Sequence, residues 1–466
     1  MLKGLLLICY GLCALVRTEY ANAQANERVL YSFQGIPDGA TPVGGMVLDD
    51  NGNLFGATAG GGASNCNGPE QCGTVFELSP PARNGDQWVE TVLYVFKGLT
   101  NSDGAGPEGG LVADQEGNLY GTTAYDGSGQ CKLVGGLVGC GTVYELSPST
   151  KVRGRWTETV LYNFQGSSDG YFPRGDLVRD TAGNLYGATQ YGGGYGTDCN
   201  DLYGYCGTIF ELTPPGHNTK GTWTERILYS FKGTGPSAVG DGSEPNGGLI
   251  LDSSGALYGT TYFGGNGIGL CNSGVGGIGC GTAFKLEAPS GGRGGTWVET
   301  VLHRFTGYSD GANPAGGLIL AEPSRLYGTT FAGAQNGYGA VFELFGSPGI
   351  SGIWSARTLY EFNPKGGVHP SAGVVFGLGD VMYGTSTQDG TSGGGTFFSL
   401  ASVATHENAW VETVLHSFAG GSSDASYPDS KLIFQQPNFF YGSSQSGGDG
   451  LNCGFGGCGT IFRVQP

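Results

Sequence analysis

The stretch Gly117-Asn118-Leu119-Tyr120-Gly121-Thr122-Thr123 decides the fold, because it recurs. Copies stand at residues 52–58, 183–189, 255–261, 324–330, 380–386 and 438–444, which makes seven in all. Three further runs keep the same period. Gly-Thr-Val-Phe-Glu-Leu begins at Gly73 and has relatives at Gly141, Gly207, Gly281, Gly339, Gly395 and Gly459. Val-Leu-Tyr-x-Phe begins at Val29, Val92, Val160, Ile227, Val301, Thr358 and Val414. Gly-Gly-Leu-Val-x-Asp begins at Gly109, with relatives at Gly44, Gly175, Gly247, Gly316, Gly373 and, more loosely, Ser430. Each run is short, rich in Val, Leu, Tyr, Phe and Thr, and bounded by glycine or Asp-Gly turns, which is how a strand reads. Four strands per unit and seven units predict an all-β, seven-bladed β-propeller of four-stranded blades.

Gly-Leu-Val-x-Asp followed by Gly-Asn-Leu-Tyr resembles the first two strands of NHL-type propeller blades. On that phase the second blade runs a over 111–114, b over 119–123, c over 142–146 and d over 156–164. The chain then opens on a lone d strand and stops on a lone c strand. The N-terminal strand is therefore expected to complete the last blade and remove an open sheet edge. A tryptophan precedes the d strand in six repeats, at Trp88, Trp156, Trp223, Trp297, Trp354 and Trp410, and the seventh equivalent falls near Ala25. Repetition of this kind reads as packing between blades.

Glycine supplies 93 of 466 residues without a three-residue period, which excludes collagen. Aromatic residues at 12% argue against a disordered glycine-rich polymer. The net charge of -17 disfavours nucleic acid and anionic membrane surfaces as partners. At the N-terminus, Lys3, an apolar run over 4–16 and Ala21-Asn22-Ala23 read as a secretory signal over residues 1–23. The mature chain, 24–466, is expected to be one propeller domain, secreted or periplasmic, monomeric, and free of membrane insertion once the signal is removed.

Cys9 and Cys13 fall inside the signal. The other ten cysteines form close pairs: Cys66/Cys72, Cys131/Cys140, Cys199/Cys206, Cys271/Cys280 and Cys453/Cys458. Each pair sits between the b and c strands. An even count in an exported chain predicts disulfides, and the spacing lacks the histidine partners of a zinc pattern. His303 and His416 stand where other repeats have tyrosine, which leaves His217, His369 and His406, and no metal site is expected.

The full unit is Leu-Tyr-x-Phe-x-Gly-x-x-Asp-Gly-x-x-Pro-x-Gly-Gly-Leu-x-x-Asp-x-x-Gly-Asn-Leu-Tyr-Gly-Thr-Thr. It is nearly unaltered over 93–123 and 161–189, and it drifts most after Thr358 and Val414. It resembles the GloVer tandem repeat of exported bacterial proteins, from about residue 29 to the end. The resemblance implies a propeller-like fold and export, and supplies no catalytic residue. Members of that family often carry surface-anchoring tails. The last strand runs to Pro466, so no such tail is expected here.

Strands alternate direction, so the b–c loops and d–a connectors share one face, where function gathers on a rigid scaffold. The connectors carry Asp-Gly before a proline at Asp38, Asp103, Asp169, Asp241 and Asp310, with a looser copy at Asp424. These aspartates read as turn chemistry, with calcium ligation as the alternative. Asp-Asn-Gly-Asn at Asp50 reads as an a–b hairpin turn. Blade three departs most from the repeat: Tyr171, Phe172 and Arg174 in its connector, then Tyr191, Tyr195, Asp198, Asp201, Tyr203 and Tyr205 in its b–c loop. Aromatic rings beside planar polar groups suit a sugar. Two functions follow. One is a binding or scaffold module for an extracellular glycan or a protein. The other is a glycan hydrolase or lyase using carboxylates such as Asp169, Asp176, Asp198 or Asp201.

Overall fold

The computed structural model describes residues 25–466 except 64–65, 67–71, 84–85, 134–135, 138, 150, 153, 167, 194–205, 217–220, 234–239, 266–270, 272–278, 290–294, 323, 347–352, 404–408, 451 and 454–455. Seven antiparallel sheets of four strands form the ring. The first blade shows the plan: Gly39–Leu48 nearest the axis, then Leu54–Gly61, Thr74–Ser79 and Val89–Val95 outermost. In the fourth and seventh blades the inner strand is broken in two, Ser243–Pro245 with Ile250–Leu251, and Ala425–Pro428 with Ile433–Gln435. Among the described residues the only helices are two short 3-10 turns, and no helix is long and apolar enough to cross a membrane.

Ring closure follows the expected latch. The N-terminal strand Asn26–Ser32 pairs antiparallel with Thr460–Gln465 and becomes the outer strand of the seventh blade. The last blade's free edge is thereby covered by the start of the chain.

Each blade interface is an aromatic joint. The phenylalanine ending each d strand meets the aromatic residue of the next blade's c strand, from Phe33 on Phe76 at 5.1 Å to Phe418 on Phe462 at 5.0 Å. That c-strand ring lies over the glycine of Leu-Tyr-Gly-Thr-Thr. A Cβ on Gly121 would fall 2.4 Å from the Tyr144 hydroxyl, so the repeat needs glycine there to seat the ring. The tryptophans pack across the same joints, Trp88 on Tyr441, Trp156 on Phe55, Trp223 on Tyr120 and Trp297 on Tyr186. At the seventh joint Ala25 takes the tryptophan's place in the cluster around Tyr383, and Phe440 fills the gap by packing on that tyrosine at 4.3 Å.

Four disulfides join the expected pairs Cys66–Cys72, Cys131–Cys140, Cys271–Cys280 and Cys453–Cys458. Cys199, the expected partner of Cys206, lies outside the described residues.

Candidate functional site

The connector aspartates are held by their own turns. Asp103 accepts from the Tyr94 hydroxyl at 2.6 Å and from the Lys97 N–H at 3.1 Å. Asp38, Asp169 and Asp241 repeat the arrangement with Tyr31, Tyr162 and Tyr229. In two connectors a histidine replaces the tyrosine, so that His303 faces Asp310 and His416 faces Asp424. This is the turn chemistry expected of Asp-Gly before proline. Asp49 serves the a–b hairpin in the same way, accepting from the N–H groups of Asn51 and Asn53.

The residue before each connector proline ties its blade to the one before. Thr41, Gly106, Phe172, Glu244, Asn313, His369 and Tyr427 all have left-handed backbone, with φ between 54° and 61°. For the six that are not glycine this conformation is strained, and each is repaid by the same contact. Its N–H donates at 2.8–3.0 Å to a carbonyl of the preceding blade, at Cys458, Cys72, Cys140, Cys206, Cys280, Tyr338 and Gly394 in turn. Where cysteine is present, the staple thus fixes the carbonyl that joins one blade to the next.

Four residues further on, the inner strands meet at the axis. Gly45, Gly110, Gly248, Gly317 and Gly373 occupy the same repeat position in five blades, and Asp176 and Lys431 occupy it in the other two. Neighbouring backbones touch there: a Cβ on Gly110 would lie 2.4 Å from the Gly45 nitrogen. Asp176 projects into the axis, where its Oδ1 accepts from the N–H of Gly110 at 2.8 Å and of Gly45 at 3.2 Å. Among the described residues the Lys431 ammonium has no carboxylate within 4.0 Å.

An axial cavity of about 1010 Å³ runs past this constriction, lined by its residues and by inner-strand residues on both sides of it. Its distinguishing groups are those that follow the connector proline: Glu108, Arg174, Asn246 and Asp429 from four different blades. Tyr125, Phe172 and Gln445 stand beside them. Arg174 Nε pairs with Glu108 Oε2 at 2.9 Å, with the arginine side chain 40% exposed and so open to a ligand. Gln445 donates to one oxygen of Asp429, and the other oxygen is out of solvent and has no hydrogen-bond partner. Burial pushes the Asp429 carboxyl up to about 7, against the pull of Gln445 and Arg174. The mouth therefore holds a carboxyl that titrates near neutrality, a fixed ion pair, an amide and aromatic surface.

Of the sites expected from sequence, Phe172 and Arg174 line this cavity. Tyr171 and Tyr191 do not. The inner strand of blade three begins at Tyr171, inside the stretch read as a connector, and both rings are buried, 5.4 Å apart. Tyr195, Asp198, Asp201, Tyr203 and Tyr205 lie outside the described residues. Asp169 stays in its turn while Asp176 sits on the axis, so this pair does not share the cavity. Sequence reading missed Glu108, Asn246, Asp429, Lys431 and Gln445. The signal was present: aligned on Pro-x-Gly-Gly, the repeats keep the scaffold positions and vary at these.

The fold and the site together define a repeat propeller with an asymmetric, polar channel mouth. The chain belongs to the Gloeobacter/Verrucomicrobia repeat family, whose model matches residues 14–197 and again 195–462. No curated protein matches the sequence. Solved structures of similar chain path include the PQQ-bound aldose sugar dehydrogenase of Streptomyces coelicolor, at 12% identity and a TM-score of 0.42 over 96% of this chain and 99% of that one. The PQQ domain of pyranose dehydrogenase from Coprinopsis cinerea gives 10%, 0.41, 95% and 98%, and a glucose dehydrogenase gives 14%, 0.42, 95% and 99%. At these values the likeness transfers nothing to this chain.

Proposed function

We propose that this protein is an exported binding module that takes a glycan in the mouth of its central channel. One observation carries the reading: positions that depart from the repeat converge on one cavity, while the positions around them are held by the scaffold. A rigid ring that presents a few unlike groups at one mouth suits recognition. The groups suit a polyhydroxylated ligand, since Arg174, Glu108, Asp429, Asn246 and Gln445 offer planar donors and acceptors, and Tyr125 and Phe172 offer apolar ring surface. Export is supported by the four disulfides, which persist in oxidising compartments, and by the signal-like residues 1–23.

The test is a glycan array probed with the mature chain, in calcium and again in chelator. Binding that survives chelator and is lost in both Arg174→Ala and Asp429→Ala supports the channel mouth. Binding unchanged in both variants sinks it, and an absence of binding shifts the reading to a protein partner. Chelator-sensitive binding would bring the connector aspartates back as calcium ligands.

A second reading, glycan hydrolysis, rests on the Asp429 carboxyl, which titrates near neutrality beside the Glu108–Arg174 ion pair. Such a group is suited to donate a proton to a leaving oxygen. Shortening of a bound glycan by the wild type, and loss of shortening with retained binding in Asp429→Asn, would distinguish an enzyme from a lectin-like module.

A further inference from the structure

Around the outer rim, the tyrosine of each d strand, the connector aspartate and a glutamate of the next blade's d strand form one repeated station. Four stations have the full set, Tyr31 with Asp38 and Glu90, Tyr94 with Asp103 and Glu158, Tyr162 with Asp169 and Glu225, and Tyr229 with Asp241 and Glu299. Two stations are incomplete. Beside His303 and Asp310 the repeat places Ala356 instead of glutamate, and beside Tyr360 and Glu412 it places Gly366 instead of aspartate. The last station has histidine and both carboxylates: His416, Asp424 and Glu27.

We infer that Glu27, His416 and Asp424 form a binding site for one divalent transition-metal ion, such as zinc, that ties the N-terminal closing strand to the sixth blade. One ligand atom from each residue lies within 4.8 Å of the others. One imidazole with two carboxylates is a borderline donor set, and it leaves room for a water to complete four-coordination.

The geometry separates this station from the other histidine station. His303 Nε2 lies 3.0 Å from Asp310, an ordinary hydrogen bond, whereas His416 Nε2 lies 3.4 Å from Asp424 Oδ1. The longer separation is poor for a hydrogen bond and matches the edge of a tetrahedron with metal–ligand bonds near 2.0–2.1 Å, about 3.3–3.4 Å. Glu27 Oε1 is shut off from solvent without a hydrogen-bond partner, a trait it shares with the same oxygen of Glu90, Glu158, Glu225, Glu299 and Glu412, but only here does an imidazole stand beside both carboxylates. A cation supplies the partner that oxygen lacks. At the tyrosine stations a phenol stands in the imidazole's place and offers no such ligand.

The site would act on closure. Glu27 belongs to the strand that enters from the far end of the chain, and the other two ligands belong to the sixth blade and its connector. A bound ion therefore links the strand that completes the ring to a blade it meets only after folding.

The experiment is a calorimetric titration of the chelator-washed full-length mature protein with zinc, repeated with cobalt followed by visible absorption. His416→Tyr restores the residue that most stations carry, so it preserves the packing, and His303→Tyr does the same at the station without glutamate. Expected are one equivalent of zinc bound, a loss of about 100-fold or more in affinity in His416→Tyr, a comparable loss in Glu27→Gln, and no change in His303→Tyr. Absence of binding in the wild type, or binding that persists in His416→Tyr, would overturn the site.

Discussion

Asp176 Oδ1 accepts the backbone N–H of Gly110 across the joint between the second and third blades, at 2.8 Å, on the axis of the ring. Its second donor, Gly45, is 131 residues away in the chain. Asp176→Ala removes an ionic acceptor from two backbone donors and should lower stability by about 1–3 kcal/mol in urea unfolding. A change below about 0.5 kcal/mol would show that the two bonds contribute nothing net.

Gly110→Ala attacks the same joint from the other side. The added carbon would meet the Gly45 nitrogen and Asp176 Oδ1 at 2.4 Å each, and backbone cannot swing aside as a long side chain does. The variant should lose about 3 kcal/mol or more, or fail to yield soluble protein. A stable, soluble Gly110→Ala chain would refute the close approach.

Tyr144→Phe should stabilise. Six repeats carry phenylalanine at this c-strand position, and the Tyr144 hydroxyl is fully buried with no partner among the described residues. Removing an unsatisfied buried hydroxyl returns about 1–3 kcal/mol, since the ring itself keeps its contact with Phe96. Equilibrium denaturation would read the gain. A loss of stability would mean that the hydroxyl is solvated.

Stability should fall as pH rises from about 5 to 8. Burial pushes Glu27, Glu90, Glu158, Glu225, Glu299 and Glu412 from 4.5 up to about 7. Between those values the folded chain holds protons that the unfolded chain has released, so stability is full below pH 4.5 and drains away through pH 7. Asp114, Asp180, Asp252 and Asp310 move the other way: burial raises them, but hydrogen bonds from groups such as Asn118 and His303 outweigh it. Their contribution is lost only in acid below the usual aspartate range. The melting temperature should be a few degrees higher at pH 5 than at pH 8, and Glu158→Gln should narrow that gap. A higher melting temperature at pH 8 would contradict the assignment.

The staples should matter to the blade joints as well as to their loops. Cys66→Ser with Cys72→Ser opens a short loop worth about 2–3 kcal/mol in the chain-entropy account. It also frees the Cys72 carbonyl that receives the Gly106 N–H. Hydrogen exchange at Gly106 should quicken in this variant, and protection equal to the wild type would show that the carbonyl is fixed without the disulfide.

Much of this was legible in the chain. Gly121 and its six equivalents recur because each must admit an aromatic ring, and that demand is local enough to leave a repeated word. The latch followed from counting strands from Val29 to the end. Asp103 and its relatives were readable as turn residues because their donors lie within twelve residues. Tyr171 and Tyr191 were harder: their place in a loop or a strand decides whether the rings face solvent or core, and the strand begins earlier than the connector pattern suggests. Glu108, Asp429 and Gln445 were visible as departures from the repeat, yet nothing in one blade says that they share a cavity.

The sequence by itself determined the number of blades, their phase, the closing strand and the paired cysteines, because each follows from short-range patterns that recur along the chain. Tertiary structure alone decided the sites. Glu108, Arg174 and Asp429 belong to blades two, three and seven, and Glu27 meets His416 and Asp424 from the opposite end of the chain. Closing the ring brings such residues within reach of one another, and contacts formed across hundreds of residues leave no periodic mark in the sequence.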